Sequence, residues 1–172
     1  MDLKADELIS MNDYPTLHSP TALRNYYDLY RENDITSITP IPVIPAQIVI
    51  AYFKQEKERF QSYSSKLAAF LERNPSVGFF MLDGTHRAAA AILAGKGIPT
   101  YIIKTDEDIT LLLELRREKK INLGGLECDL RETIAILEEH YYDHKNFWTL
   151  QEKVKLMISN GDINQDLFKH EQ

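Results

Sequence analysis

The spacing of apolar residues alternates between a strand period and a helical period along the chain. Leu3–Ile9 reads as a short opening strand, and the polar stretch Asn12–Ser19 as a turn. Ser19-Pro20 then signals a helix start, a capping serine followed by proline at the first helical position. The helix it opens, Pro20–Asn33, places Leu23, Tyr26, Tyr27 and Tyr30 near one face, a tyrosine-rich stripe of the kind that packs on a core. Thr36–Ile44 is β-rich but contains Pro40 and Pro42, which lack the N–H that a ladder needs. It therefore predicts an edge strand or a short strand with an extended lead-in. Gln47–Arg73 is the longest helical stretch. Phe53, Phe60, Leu67, Phe70 and Leu71 share a face, Ser62–Ser65 is a candidate break, and Asn74-Pro75-Ser76 stops it.

The second half repeats the alternation. Val77–Leu82 is nearly continuous in apolar residues, the pattern of a strand covered on both faces. His86–Ala94 is a compact helix ended by Gly95 and Gly97, and Ile98–Lys104 is a further strand. Asp106–Lys119 reads as a helix with acids first and bases last, matching the helix dipole. After a break at Asn122–Gly125, Asp129–Tyr142 and Leu150–Ser159 are helical; Asn160-Gly161-Asp162 is a turn, and Ile163–Gln172 is expected to fray. Strand and helix alternate, so the predicted class is α/β (α+β), a small mixed sheet with packed helices and at least one right-handed crossover. We divide the chain into a domain at 1–120, with a helical insertion at about 46–74, and a C-terminal helical extension at 121–172.

Composition narrows the setting. With 172 residues, 44% hydrophobic and 27% charged, the chain is expected to fold around a core of its own. Its one cysteine, Cys128, excludes an internal disulfide framework and a cysteine-based zinc cluster, and fits a reducing compartment. Met1–Ser10 carries acids and no apolar core of a signal peptide, and no apolar run is long enough to span a bilayer. The expectation is a soluble, cytoplasmic protein without a membrane partner. The net charge of -6 disfavours non-specific DNA binding, which relies on cations displacing counterions. The basic run Arg116, Arg117, Lys119, Lys120 reads as a solvated helix end.

The chemistry concentrates in the strand–turn–helix Phe79–Gly95. Gly84 permits an unusual dihedral or a close approach, and the amides that open the next helix have no intrahelical acceptors. With the positive helix pole they form an anion cradle, in whose first turn His86 and Arg87 stand. Two cations at that pole ask for an anion to offset them. The plainer alternative stays open: Asp83 or Thr85 as a helix cap, with Arg87 on the surface. Ala88-Ala89-Ala90-Ala91 lets the helix lie close to a sheet.

The segment Phe80-Met81-Leu82-Asp83-Gly84-Thr85-His86-Arg87-Ala88-Ala89-Ala90, followed by Gly95, Ile98-Pro99 and a β-rich run, resembles the signature of the ParB/sulfiredoxin superfamily. The upstream order also resembles it, with a first strand near Leu3–Ile9, a helix at Pro20–Asn33 and the strand Pro40-Ile41-Pro42-Val43-Ile44; the likeness covers about residues 3 to 115. Sulfiredoxins carry a cysteine where Thr85 stands, so the resemblance does not extend to sulfinic-acid reduction. The partition-protein branch carries a DNA-binding helical domain, whereas the extension here is short and acidic. The D-G-x-H-R form is similar to that of free-serine kinases, which use ADP as phosphate donor, and of DNA-modification regulators.

The resemblance implies that Gly84, Thr85, His86 and Arg87 bind nucleotide phosphates. Asp83, His86 and Arg87 would be the catalytic group, with Asp83 as metal or acid–base residue. ATP or ADP, with CTP as a further option, would be the cofactor, together with Mg2+, because a carboxylate beside a polyphosphate needs a bridging cation. The implied function is nucleotide or phosphate binding, with a small-molecule kinase or nucleotide hydrolase activity acting on a small-molecule substrate. The alternative is a non-enzymatic regulatory or DNA-associated module of the same fold. Glu7 and His18 are candidates for a base near the acceptor, and the insertion Gln47–Arg73 for a lid or partner surface. Elsewhere, His140 and His144 have a zinc-compatible spacing but read as a solvated helix end; Gly124-Gly125 is too short for a phosphate loop; Trp148, beside Phe147, reads as an anchor for the last helix rather than a base-stacking platform.

Overall fold

The opening apolar segment splits in two. The computed structural model describes residues 1–10, 19–55, 61–123, 126, 129–142, 146–164 and 168, with backbone alone at 55, 61–62 and 138–142. It forms β1 at Asp2–Leu3 and β2 at Leu8–Ile9, where the pattern predicted a single strand. A turn divides them: Glu7 N–H donates to Lys4 O (3.1 Å), and the Glu7 carboxylate accepts from Lys4 N–H (2.6 Å). Then follow α1 (Pro20–Arg31), a 3-10 turn (Ile35–Ser37), β3 (Ile41–Pro45), α2 (Ala46–Gln55) and α3 (Gln61–Arg73). The rest comprises β4 (Phe79–Met81), α4 (Thr85–Leu93), β5 (Ile98–Ile102), α5 (Asp106–Arg117), α6 (Leu130–Tyr142) and α7 (Leu150–Ser159).

The strands form one mixed, curled sheet in the order β1-β5-β3-β4-β2. β3 lies parallel to β5 and antiparallel to β4; β2 lies parallel to β4, and β1 antiparallel to β5. The curl follows from covalent reach. Outer strands of a flat five-stranded sheet lie about 19 Å apart. Here only the Lys4–Glu7 turn separates the two outer strands, and a chain bent through a turn cannot bridge that span. The sheet must curl until its edges approach each other.

Two predictions about this region are corrected. β3 is the central strand rather than an edge, and the alternative of a short strand with an extended lead-in holds. Pro42 still serves the ladder as an acceptor, from Leu82 N–H (3.0 Å). The long helix does not break at Ser62–Ser65, which lies inside α3; α2 ends at Gln55, and Phe60 falls outside the described residues.

Strand alternation sends side chains to two cores. Ile9, Ile44 and Phe80 join Val49, Phe53, Leu67 and Phe70 of α2 and α3, together with Ile109 and Leu112 of α5 and Ile134 and Leu137 of α6. Leu8, Val43 and Met81 join Leu23, Tyr27 and Tyr30 of α1, with α4 and with Leu150, Val154 and Met157 of α7. Val77–Leu82 is covered on both faces as its composition predicted, and each fully buried Leu, Ile or Phe contributes roughly 1.5–3 kcal/mol. The 121–172 segment thus reaches both cores. The tail predicted to fray is held at two points: Ile163 is buried, and Phe168 packs edge-on against Tyr27 (4.9 Å), whose hydroxyl donates to Phe168 O (3.0 Å). Among the described residues no helix is long and apolar enough to cross a membrane.

Helices α1 and α4 run side by side in the same direction. Ser19 N–H meets His86 Nε2 at their starts (3.3 Å), and Lys96 Nζ meets Asn33 Oδ1 past their ends (2.7 Å). Ala88–Ala91, all fully buried, permit this close packing. Gly95, at φ +65, closes α4 with the paired bonds Gly95 N–H to Ile92 O (3.1 Å) and Lys96 N–H to Ala91 O (2.9 Å), a Schellman motif.

Candidate functional site

The predicted motif lies where β4 ends and α4 begins. Gly84 is the N-cap of α4, with φ +97, in the left-handed region that a side-chain-bearing residue enters only with strain. Neither Asp83 nor Thr85 occupies the cap position. Glycine is also required by space: a Cβ here would lie 2.8 Å from Ile41 Cγ1 and 3.1 and 3.2 Å from Arg87 Nη2 and Nε. Both reasons for glycine therefore come from the protein itself, its backbone turn and the Ile41 and Arg87 side chains packed against its Cα.

Arg87 turns inward. It is only 5% exposed, so the surface alternative for this residue fails. Nη1 donates to Thr39 O (2.7 Å) and Pro40 O (3.4 Å), and Nη2 to Asp83 Oδ2 (3.2 Å). The fork that the sequence offered to a ligand ties α4 to the lead-in of β3. Asp83 is its only acidic partner among the described residues, and that carboxylate is one-third exposed. His86 is half-buried, and its Nε2 accepts from Ser19 N–H. An accepting nitrogen carries no proton, so this contact requires the neutral ring or a shift of α1. Thr85 is the first helical residue and partly exposed.

The electrostatics are unusual for a helix start. The first turn of α4 has no acidic residue, and a buried guanidinium lies against its positive pole. Beneath it, Tyr30 is fully buried, and its hydroxyl has no hydrogen-bond partner among the described residues. Burial pushes the Tyr30 phenol up to about 12, while the positive charge of Arg87 pulls in the opposite direction.

The two base candidates separate. Glu7 sits in the β1–β2 turn, where its backbone oxygen accepts from Gly78 and Phe79 N–H at the entry of β4. The motif follows the exit of that strand, so Glu7 is not the base beside it. His18 lies outside the described residues, although its neighbour Ser19 touches His86. Among the described residues no three His, Cys, Asp or Glu side chains are grouped to hold a metal ion. Cys128, His144 and Gly124-Gly125 fall outside the described residues, and His140 is described in backbone only. The partners that reading the sequence missed are the Thr39 and Pro40 carbonyls, Ile41, the Ser19 amide and Tyr30. All are distant along the chain, and no local signal announces them.

No protein-family model, curated protein or solved structure matches the chain.

Proposed function

We propose that the start of α4 binds a phosphate-bearing ligand, a nucleotide taken together with Mg2+, in a protein of ParB/sulfiredoxin type. The observation that carries this reading is a buried guanidinium against a helix N-terminus that has no acid in its first turn. Burying a charge beside a like pole is unfavourable. Asp83 offsets it from a partly exposed position, and an anion on the α4 amides would offset it more fully. In this reading the contacts come from the backbone of the first turn, Thr85 and His86. Arg87 supplies field and position, not a grip. Asp83 provides one carboxylate, which suits Mg2+ when phosphate oxygens complete its shell.

A strand, a helix, a β3 beginning at Ile41, then β4, the glycine turn, α4 and β5 follow the element order that the resemblance implies, with α2 and α3 inserted. Phosphoryl transfer to a small molecule, or nucleotide hydrolysis, is the activity this site would serve, since such chemistry rests on positioning and charge stabilisation. A non-enzymatic module is favoured by one observation, the engagement of both terminal nitrogens of Arg87 inside the protein.

The separating variant is Thr85→Glu. A carboxylate in the first turn favours the helix but repels an anion. Calorimetry with ATP, ADP and CTP in the presence of Mg2+ is expected to show saturable binding, weakened about tenfold or more in Thr85→Glu at an undiminished melting temperature. Absence of binding by all three nucleotides, or equal binding by the variant, would refute the reading.

A further inference from the structure

Away from the motif, a cleft of about 610 Å³ lies between α3 and the segment that leads into α7. Its apolar floor is Phe70 and Phe147, with ring centroids 5.7 Å apart. Phe147 packs also on Tyr63 and Phe80. Trp148 is anchored through its backbone, its carbonyl accepting from Ser10 N–H (3.1 Å), while its half-buried indole lines the cleft.

The polar side chains around this floor are the cations Lys66 and Arg73, the indole N–H of Trp148, the amides of Asn74 and Asn146, and Glu152; Asn74 Nδ2 donates to Phe70 O (2.9 Å). Lys66 and Arg73 stand two turns apart on one side of α3 and are exposed. Arg73 Nε donates to Ala69 O (3.1 Å), which fixes the guanidinium and leaves both Nη atoms without an acceptor among the described residues. The Lys66 ammonium and the Trp148 indole N–H likewise have none among the described residues. All three groups donate and cannot accept. Glu152 is the one acid lining the cleft among the described residues, and its carboxylate is engaged in capping α7, accepting from Thr149 N–H (2.8 Å) and Oγ1 (3.1 Å).

Unpartnered donors call for an acceptor-rich anion, and an indole over a phenyl floor calls for a flat ring. We propose that this cleft binds a small molecule made of a planar ring carrying a carboxylate or a phosphate. Its volume is within the ordinary range for ligand sites. The ring lies against Trp148 and Phe147, and the anion reaches Arg73 or Lys66.

Trp148 is the only tryptophan in the chain, so its emission reports on the cleft directly. The full chain is titrated with benzoate and with adenosine monophosphate, and with benzyl alcohol and adenosine as neutral counterparts. One anion is expected to change Trp148 emission saturably, with its neutral counterpart about tenfold weaker or more. The anion that saturates assigns carboxylate or phosphate. Lys66→Gln/Arg73→Gln, both at exposed positions, is expected to lose a similar factor while circular dichroism stays unchanged, and each single variant to lose part of it. Thr85→Glu is expected to leave the response intact, which separates this cleft from the α4 site. The proposal is overturned if neither anion changes the emission, if the neutral compounds bind equally, if the double variant responds as the parent does, or if Thr85→Glu abolishes the response.

Discussion

Helices α4 and α5 meet the same physical problem at their starts and solve it in opposite ways. Each begins after a strand, with amides unpaired within the helix and a positive pole. Helix α5 answers with its own side chains. Thr105 is its N-cap, Asp106, Glu107 and Asp108 fill the first turn, and the Asp108 carboxylate accepts from Lys104 N–H (2.8 Å) and Thr105 N–H (3.0 Å). Helix α4 answers with a glycine in a left-handed turn, no acid in the first turn, and a guanidinium folded beneath. One start is complete and faces water. The other keeps positive charge in the interior, with a single carboxylate to offset it among the described residues. The difference teaches that helix-start rules sort residues only when their side chains point outward. At α4 the arginine obeys tertiary contacts instead.

The largest expected effect tests whether α4 depends on its glycine. Gly84→Ala combines a left-handed backbone with a clash against Ile41, and is expected to cost about 3 kcal/mol in chemical denaturation. Gly95→Ala is the control, since Gly95 has positive φ but open space around its missing Cβ. It should cost only about 1 kcal/mol. Equal costs would remove the role of the crowding by Ile41 and Arg87.

Tyr30 tests the charge beneath α4. Its phenol is pushed up to about 12 from an ordinary 10, so the folded state holds this proton where the unfolded chain has lost it. The stability that Tyr30 contributes is present below pH 10 and is lost between about pH 10 and 12, by roughly 2–3 kcal/mol. Tyr30→Phe is expected to flatten that alkaline limb and, by removing a buried hydroxyl that has no partner among the described residues, to leave neutral-pH stability equal or slightly raised. An unchanged alkaline limb in Tyr30→Phe would show that other groups cause it.

The smallest effect belongs to the complete start. Asp108→Ala is expected to lower stability by about 1 kcal/mol, less at high salt, without touching ligand binding at α4. Thermal melts at two ionic strengths check this.

Local patterns read most of the helices correctly. The Ser19-Pro20 start of α1, the doubly covered strand at Val77–Leu82 and the Gly95 stop of α4 are all carried by residues within a few positions of one another. What escaped depends on distant partners. Sheet order placed the proline-bearing β3 at the centre, because β5 and β4 reach it from later in the chain. Arg87 was read from its first-turn position, whereas carbonyls more than forty residues earlier draw it inward. Gly84 was legible as a special position, but the crowding of its Cα by Ile41 and Arg87 was not.

The divided opening strand has a consequence for how the chain reaches its fold. Asp2 pairs with Pro99, and Leu8 with Phe79. During synthesis neither outer strand can find its place until most of the sheet exists, so this closure belongs to the late, slow class of contacts set by long sequence separation. Until then β4 and β5 each present an unpaired edge, the kind that recruits other chains. One short segment seals both. A substitution in Asp2–Ile9 that weakens pairing should therefore show itself first as aggregation during refolding, with less effect on the stability of the protein once folded.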